Sequence, residues 1–230
     1  MNVAAVVPVE MGAAGLPLAD LAGQPLIGHV LDRLATVDKL ASIMVVTTTA
    51  AGDDAIAAYC ALRSTPCFRG DPENALSRIL SALKSTQAKG CALVSPFAPL
   101  IDRAIIDHIV NLLQMTDGML DWVGTQLTPS YPQGMDVEAF THAALEDADR
   151  RCADRETRRE PALYLRQNSK LYRLLSVKAA PDLTRPDLRL GAEDPRDWPL
   201  LASVLRHFSG KADIGLADIF RFLDAQAPAA

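Results

Sequence analysis

Residues 2–48 read NVAAVVPVEMGAAGLPLADLAGQPLIGHVLDRLATVDKLASIMVVTT. The stretch opens on a short apolar, β-branched run at 2–7, passes through a turn of small residues at 11–15, and ends on a second β-branched run at 42–48. Between them, residues 25–37 place Leu26, Ile27, Val30, Leu31 and Leu34 at helical spacing, which gives one apolar face. A strand, an amphipathic helix and another strand in series predict a right-handed crossover between two parallel strands, because a right-twisted strand feeding a right-handed helix packs back onto its sheet in that hand.

The pattern continues outward. Gly52-Asp53-Asp54 offers a helix start before 55–63, 66–68 reads as a third strand, and Asp71 with Pro72 in the first turn opens a helix through 88. Residues 90–95 form a further apolar strand, and Asp102 caps a helix to about Met115. This alternation predicts an α/β fold: one three-layer α/β/α domain over 1–230 on a mostly parallel sheet, with strands 2–7, 42–48 and 90–95 side by side. Ligands in such sheets bind beyond the carboxyl ends of the strands, here the loops after Val7, Thr48, Phe68 and Val94.

Past Met119 the spacing changes. Short strands are expected at 121–126, 135–140 and 171–177, with a Pro/Gly turn at 129–134. Helical stretches follow at 141–151, 155–166, 195–208 and 216–225, with a loop at 181–186 and a frayed Ala/Pro tail. The basic run 150–160 is interleaved with acids and reads as a solvated helix face with i,i+4 pairs.

Hydrophobic residues make up 49% of the chain and charged residues 22%, so a sizeable core can form without staples. Cys60, Cys67, Cys91 and Cys152 form no C-x-x-C pair and are expected as reduced core thiols. His29, His108, His142 and His207 have no metal-like spacing. A net charge of -5 disfavours nucleic acid as a partner. The N-terminus has no basic n-region, and its apolar run is broken at Pro8 and Glu10, so no membrane association is expected and the chain is assigned to the cytoplasm.

A set of short matches in fixed order then carries a family resemblance. They are Met11-Gly12, Leu16-Pro17, Asp20-Leu21-Ala22-Gly23-Gln24-Pro25-Leu26, Val45-Val46-Thr47-Thr48, Asp53-Asp54-Ala55-Ile56, Phe68-Arg69-Gly70-Asp71 and Pro99-Leu100-Ile101-Asp102. The second half adds Tyr131-Pro132-Gln133-Gly134-Met135-Asp136-Val137-Glu138-Ala139-Phe140 and Glu193-Asp194-Pro195-Arg196-Asp197-Trp198. The chain resembles the SpsF-like cytidylyltransferases of spore-coat and surface-polysaccharide synthesis, with acylneuraminate and 3-deoxy-manno-octulosonate cytidylyltransferases as more distant relatives.

That resemblance implies the nucleotide-diphospho-sugar transferase (GT-A-like, Rossmann-like) fold. It also implies a reaction in which a sugar or sugar-acid oxygen attacks the α-phosphate of CTP and releases pyrophosphate. Met11, Gly12, Ala13 and Gly15 would then form the phosphate turn, with Ser95, Arg69 and Arg78 as further nucleotide contacts. Family cations are missing at Glu10 and Gly15, and Phe97 stands at the family's Asp position, where it cannot ligate magnesium. Glu193 remains as the metal candidate for Mg2+, and Gly134, Asp136 and Glu138 as sugar contacts.

Each of these residues has a plainer role available. Met11 to Gly15 can be a tight connection, Ser95 a local cap, Arg78 an exposed helix residue, Asp136 an acceptor for turn N–H groups and Glu193 a surface acid. The overall expectation is a nucleotidyltransferase of sugar-nucleotide metabolism with degraded catalytic motifs and weak or lost activity. The alternatives are a non-catalytic binding or scaffold protein on the same fold, and an enzyme with a changed nucleotide or no metal. The family habit also implies a homodimer, with 121–177 as its interface and Trp122, Tyr131 and Phe140 expected to be exposed there.

Overall fold

The computed structural model describes residues 1–211 and 214–226; the Ala/Pro tail lies outside them. In chain order the elements are β1 (Val3–Pro8), β2 (Asp20–Leu21), β3 (Gln24–Pro25), α1 (Leu26–Leu34), β4 (Ser42–Thr48), α2 (Asp54–Leu62), β5 (Cys67–Gly70) and α3 (Ala75–Thr86). They continue with β6 (Gly90–Val94), α4 (Arg103–Met115), β7 (Trp122–Gly124), β8 (Val137–Thr141), α5 (His142–Arg151), α6 (Leu163–Gln167), β9 (Leu174–Ser176), α7 (Trp198–His207) and α8 (Leu216–Gln226).

Seven strands form the main sheet in the order β5-β4-β1-β6-β8-β7-β9. As the periodicity predicts, β4, β1 and β6 are adjacent and parallel, with Ala4 opposite both Ser42 and Cys91. β8 runs antiparallel to β6 and to β7. One apolar cluster, from Val3, Ala5 and Val7 through Ile106 and Leu201 to Phe220, fills one face of the sheet. A second, from Ala4 and Val6 through Leu83, Trp122 and Phe140 to Leu165, fills the other. Alternate residues of β1 thus serve opposite layers, as the pleat requires. Among the described residues no helix is long and apolar enough to cross a membrane.

Several local expectations are corrected. The helix expected from Asp71 begins at Ala75, because Asn74 accepts from the Ser77 N–H and is the cap; Asp71 instead accepts from the Glu73 N–H in a tight turn. The expected helix over 155–166 is a 3-10 turn at Thr157–Arg159 followed by the short α6. Trp122 and Phe140 are fully buried, not exposed, because β7 and β8 belong to the main sheet and α3 and α5 cover them. All four cysteines are free, and the Cys60 and Cys67 thiols lie in hydrogen-bond contact although they are far apart as a motif.

Candidate functional site

At the carboxyl ends of β1 and β6 a crevice of about 500 Å³ opens, lined by Pro8–Glu10, Ala75, Arg78, residues 93–97, Gln126, Asp136, Glu138 and residues 159–161. The chain leaves β1 toward β4 on one side, while β6 lies on the other, so the crevice sits at the switch point where open α/β sheets bind ligands. The antiparallel β8 completes it. Its register sets Glu138 opposite Leu93 and Val137 opposite Val94, which brings the start of β8 to the carboxyl end of β6. Asp136 and Glu138, two residues apart, both line the hollow.

Arg78 is the buried cation of the site. It lies one turn into α3, is 3% exposed, and extends Nη2 to Glu10 Oε1 at 2.5 Å and Nη1 to the Asp71 carbonyl at 2.5 Å. Its Nε is buried without a partner. Gly70 makes room for it: a Cβ there would come within 2.9 Å of Arg78 Cγ. The exposed helix position allowed for this residue is therefore overturned, since the i,i+4 face that carries it turns toward the crevice.

Glu10 does not stand alone beside the Met11 to Gly15 turn; Arg78 neutralises it. The turn itself is anchored from the segment just before α2, where Asp53 accepts from the N–H of Met11 at 2.7 Å, from the Thr48 N–H at 3.3 Å and from the Thr48 hydroxyl. Burial works to raise the Asp53 pKa, but these donors together hold it below the ordinary carboxylate value. Gly12 and Gly15 take positive φ (61° each), and Ala13 is exposed beside them. None of Met11, Gly12, Ala13 or Gly15 lines the hollow.

Arg69 does not line the crevice. Its guanidinium donates to the carbonyls of Thr48 and Ala50 and pairs with Asp54. Ser95 lines the hollow, and its hydroxyl accepts from the Phe97 N–H, the local capping role. Phe97 packs against the apolar core, while its carbonyl accepts from Ala192 N–H at 2.8 Å and ties the 190–193 segment to the crevice. Gly134, at φ 88°, meets that segment from the other side; a Cβ on it would lie 2.5 Å from Gly191 N.

Three carboxylates collect at this end. Asp136 accepts from the Thr125 hydroxyl at 3.1 Å, and burial raises its pKa against Thr125 and Arg166. Glu138 accepts from Trp122 Nε1 at 2.8 Å, with Arg166 Nε at 3.8 Å, and burial raises it too. Glu193 is raised by burial first and by the charge of Asp136 as well, so these two carboxylates feel each other. Sequence reasoning missed Gln126 and Glu160, which sit on irregular segments, and Arg166, which sits on the short α6; no motif marks them, and the one signal was the Asp-x-Glu strand opposite. Among the described residues no group of three or more potential metal ligands occurs, so a cation here would lean on Glu193 and the ligand's own oxygens.

A hollow of about 780 Å³ lies elsewhere, between α1 and the end of α7. Its deeper polar groups are already committed: Arg33 donates to the carbonyls of Pro99, Ile101 and Ile214, and His29 Nε2 is 2.6 Å from the Leu21 carbonyl. The crevice at the switch point is the better site because it lies at the carboxyl ends of the parallel strands and holds Asp136, which makes no ion pair among the described residues.

The chain is similar in sequence and in fold to several known proteins. SpsF, the spore coat polysaccharide biosynthesis protein of Bacillus subtilis, is 20% identical over 98% of this chain and 95% of its own length. A 3-deoxy-manno-octulosonate cytidylyltransferase of an Anaeromyxobacter species is 32% identical over 49% of this chain and 47% of its own. A solved cytidylyltransferase structure from Leptospira borgpetersenii superposes with a TM-score of 0.91 at 21% identity, covering 100% of this chain and 99% of that one. The nucleotide-diphospho-sugar transferase fold expected from the motifs is the fold of these neighbours. The family model described as Cytidylyltransferase matches residues 5–196, and the chain belongs to that family.

Proposed function

We propose that this chain is an SpsF-like enzyme that transfers a cytidylyl group from CTP to a sugar-type acceptor in surface-polysaccharide or sugar-nucleotide metabolism. The observation that carries the reading is Arg78: a buried guanidinium with one unpartnered N–H, lining the crevice at the switch point, held by the Asp71 carbonyl and by Glu10. In this reaction an acceptor hydroxyl oxygen forms a bond to the α-phosphorus and gives up its proton to solvent, the bond to the bridging oxygen breaks, and pyrophosphate leaves with that electron pair. Such transfer asks the protein for positioning and for cations against the phosphates.

Arg78 supplies the cation from α3, in place of those absent at Glu10 and Gly15. Phosphate oxygens take over the guanidinium as Glu10 swings out; Glu10 is half exposed and free to do so. The Met11 to Gly15 turn, pinned by Asp53, offers backbone N–H groups at the mouth. Ser95 contacts the nucleotide from the end of β6, and Gly134, Asp136 and Glu138 address the acceptor. Magnesium, when bound with the nucleotide, neutralises phosphate charge, and Glu193 is the side chain that would hold it.

A second copy of the chain covers the apolar side chains Met115, Met119 and Leu171, which are 74%, 65% and 53% exposed. Arg173 gathers this region by donating to the Gly118 carbonyl and to Asp121. The homodimer thus rests on these residues, since Trp122 and Phe140 are interior. Phosphorus NMR of the protein with CTP, magnesium and a panel of sugars tests the transfer: pyrophosphate appearing with one acceptor, and lost in Arg78→Met, supports it. Tight CTP binding with no turnover would favour the non-catalytic reading.

A further inference from the structure

The acceptor half of the crevice presents oxygens and very few free cations. Asp136, Glu138, Glu160 and the Gln126 side chain line it, and Gln126 Oε1 is buried without any donor. The guanidinium of Arg166, 15% exposed, is already shared by Glu160 and Glu138. Arg159 pairs with Glu73 at 3.1 Å and with Glu156 at 3.7 Å. At the nucleotide end Arg78 holds Glu10. Asp136 has only the Thr125 hydroxyl, and makes no ion pair among the described residues. Each cation therefore has a carboxylate, while carboxylates are left over, and a buried oxygen still lacks a donor.

Resting on the proposed transfer reaction, we infer that the acceptor taken here is an amino sugar, recognised through its ammonium and hydroxyl donors by Asp136, Glu138 and Gln126, and that sugar acids are rejected. A second carboxylate in this half would meet like charge in a partly desolvated space with no free guanidinium to receive it. An ammonium gives Asp136 the cation it lacks, and neighbouring hydroxyls give Gln126 Oε1 its donor. The site would thus differ in acceptor charge from the sugar-acid cytidylyltransferase it resembles in sequence.

Calorimetry at pH 7.5 tests this with glucosamine, galactosamine and mannosamine against glucuronate and galacturonate, each titrated into protein with and without CTP and magnesium. At least one amino sugar is expected to bind ten times or more tighter than either uronate, and Asp136→Asn to remove that preference while circular dichroism shows the variant folded. The preference is also expected to weaken at a pH where the amine is neutral. A uronate that binds as well as the amino sugars, binding by none of the five, or an amino-sugar preference that survives in Asp136→Asn would overturn the inference. The CTP arm is separate: amino-sugar binding without any CTP affinity would sink the transfer reaction and leave the acceptor preference standing.

Discussion

Arg78 Nη2 stands 2.5 Å from Glu10 Oε1, so the chain closes its own phosphate end with an internal ion pair. Arg78 is buried and Glu10 is half exposed. On the transfer reaction proposed above, the carboxylate takes the place of a phosphate oxygen at Arg78, and a nucleotide would have to displace it.

The first prediction separates the two partners. Arg78→Met removes a charged hydrogen bond worth roughly 1.5–3 kcal/mol, and CTP affinity is expected to fall by about 10- to 100-fold. Glu10→Gln removes the competitor and is expected to tighten CTP binding, while stability drops by about 1 kcal/mol because the exposed half of the pair contributes little. Calorimetry paired with urea melts reads both quantities. Weaker CTP binding in Glu10→Gln would mean that the carboxylate assists the ligand and does not compete with it.

The second prediction concerns Asp53, just before α2, and its tie to the Met11 to Gly15 turn. Asp53→Ala leaves the N–H groups of Met11 and Thr48 and the Thr48 hydroxyl without their acceptor, at a cost of roughly 2–4 kcal/mol. The folded Asp53 pKa is lowered, so the carboxylate stabilises the fold above its unfolded value of about 4, and this contribution disappears as pH falls through the folded value. Denaturation of wild type and variant should therefore differ most at neutral pH and converge below about pH 4. A gap that stays constant down to pH 2.5 would contradict the assignment.

The βαβ order was legible in the sequence because the apolar period switches from helical to strand spacing at each boundary, and residues 2–7, 42–48 and 90–95 carry it almost without interruption. The crevice was legible in part. Asp136 and Glu138 came from the family resemblance, on the strand expected after the Gly134 turn, and Ser95 from its place at a strand end. The partner of Arg78 was not, since Glu10 lies 68 positions away and a charge in a loop carries no periodicity to show what faces it. Trp122 and Phe140 were misplaced for a related reason. Strands of 3 and 5 residues look peripheral by length, but an antiparallel β8 inserts them between β6 and β9, where α3 and α5 cover them.

Gly134 supplies the third prediction. Its φ of 88° and a Cβ position 2.5 Å from Gly191 N make Gly134→Ala both strained and clashing with backbone, which cannot swing aside as a side chain does. A loss of about 2 kcal/mol or more is expected in urea melts. Because the 190–193 segment that meets this turn carries Glu193, close enough for the charge of Asp136 to act on it, CTP and acceptor binding should weaken together. A fully stable variant would show that the 133–135 and 190–191 segments are not packed as described.

The last prediction asks what replaced the metal ligand. Phe97 packs against the core at the mouth of the crevice, in the position where the family resemblance places an aspartate. With Glu193 as the remaining carboxylate for a cation, magnesium would be held mostly by phosphates and water, and wild-type CTP affinity is expected to change only modestly on adding EDTA. Phe97→Asp exchanges apolar packing for a half-buried charge, a loss of roughly 1–3 kcal/mol that leaves the fold intact if the domain has ordinary stability. In return it adds a hard oxygen ligand beside the nucleotide, so the variant should bind CTP about tenfold tighter with magnesium than without. Glu193→Ala in that background should reverse the gain, because the two carboxylates would then hold one ion between them. If wild type already depends steeply on magnesium and Glu193→Ala alone abolishes the dependence, Glu193 suffices, and Phe97 serves only to close the apolar wall of the crevice.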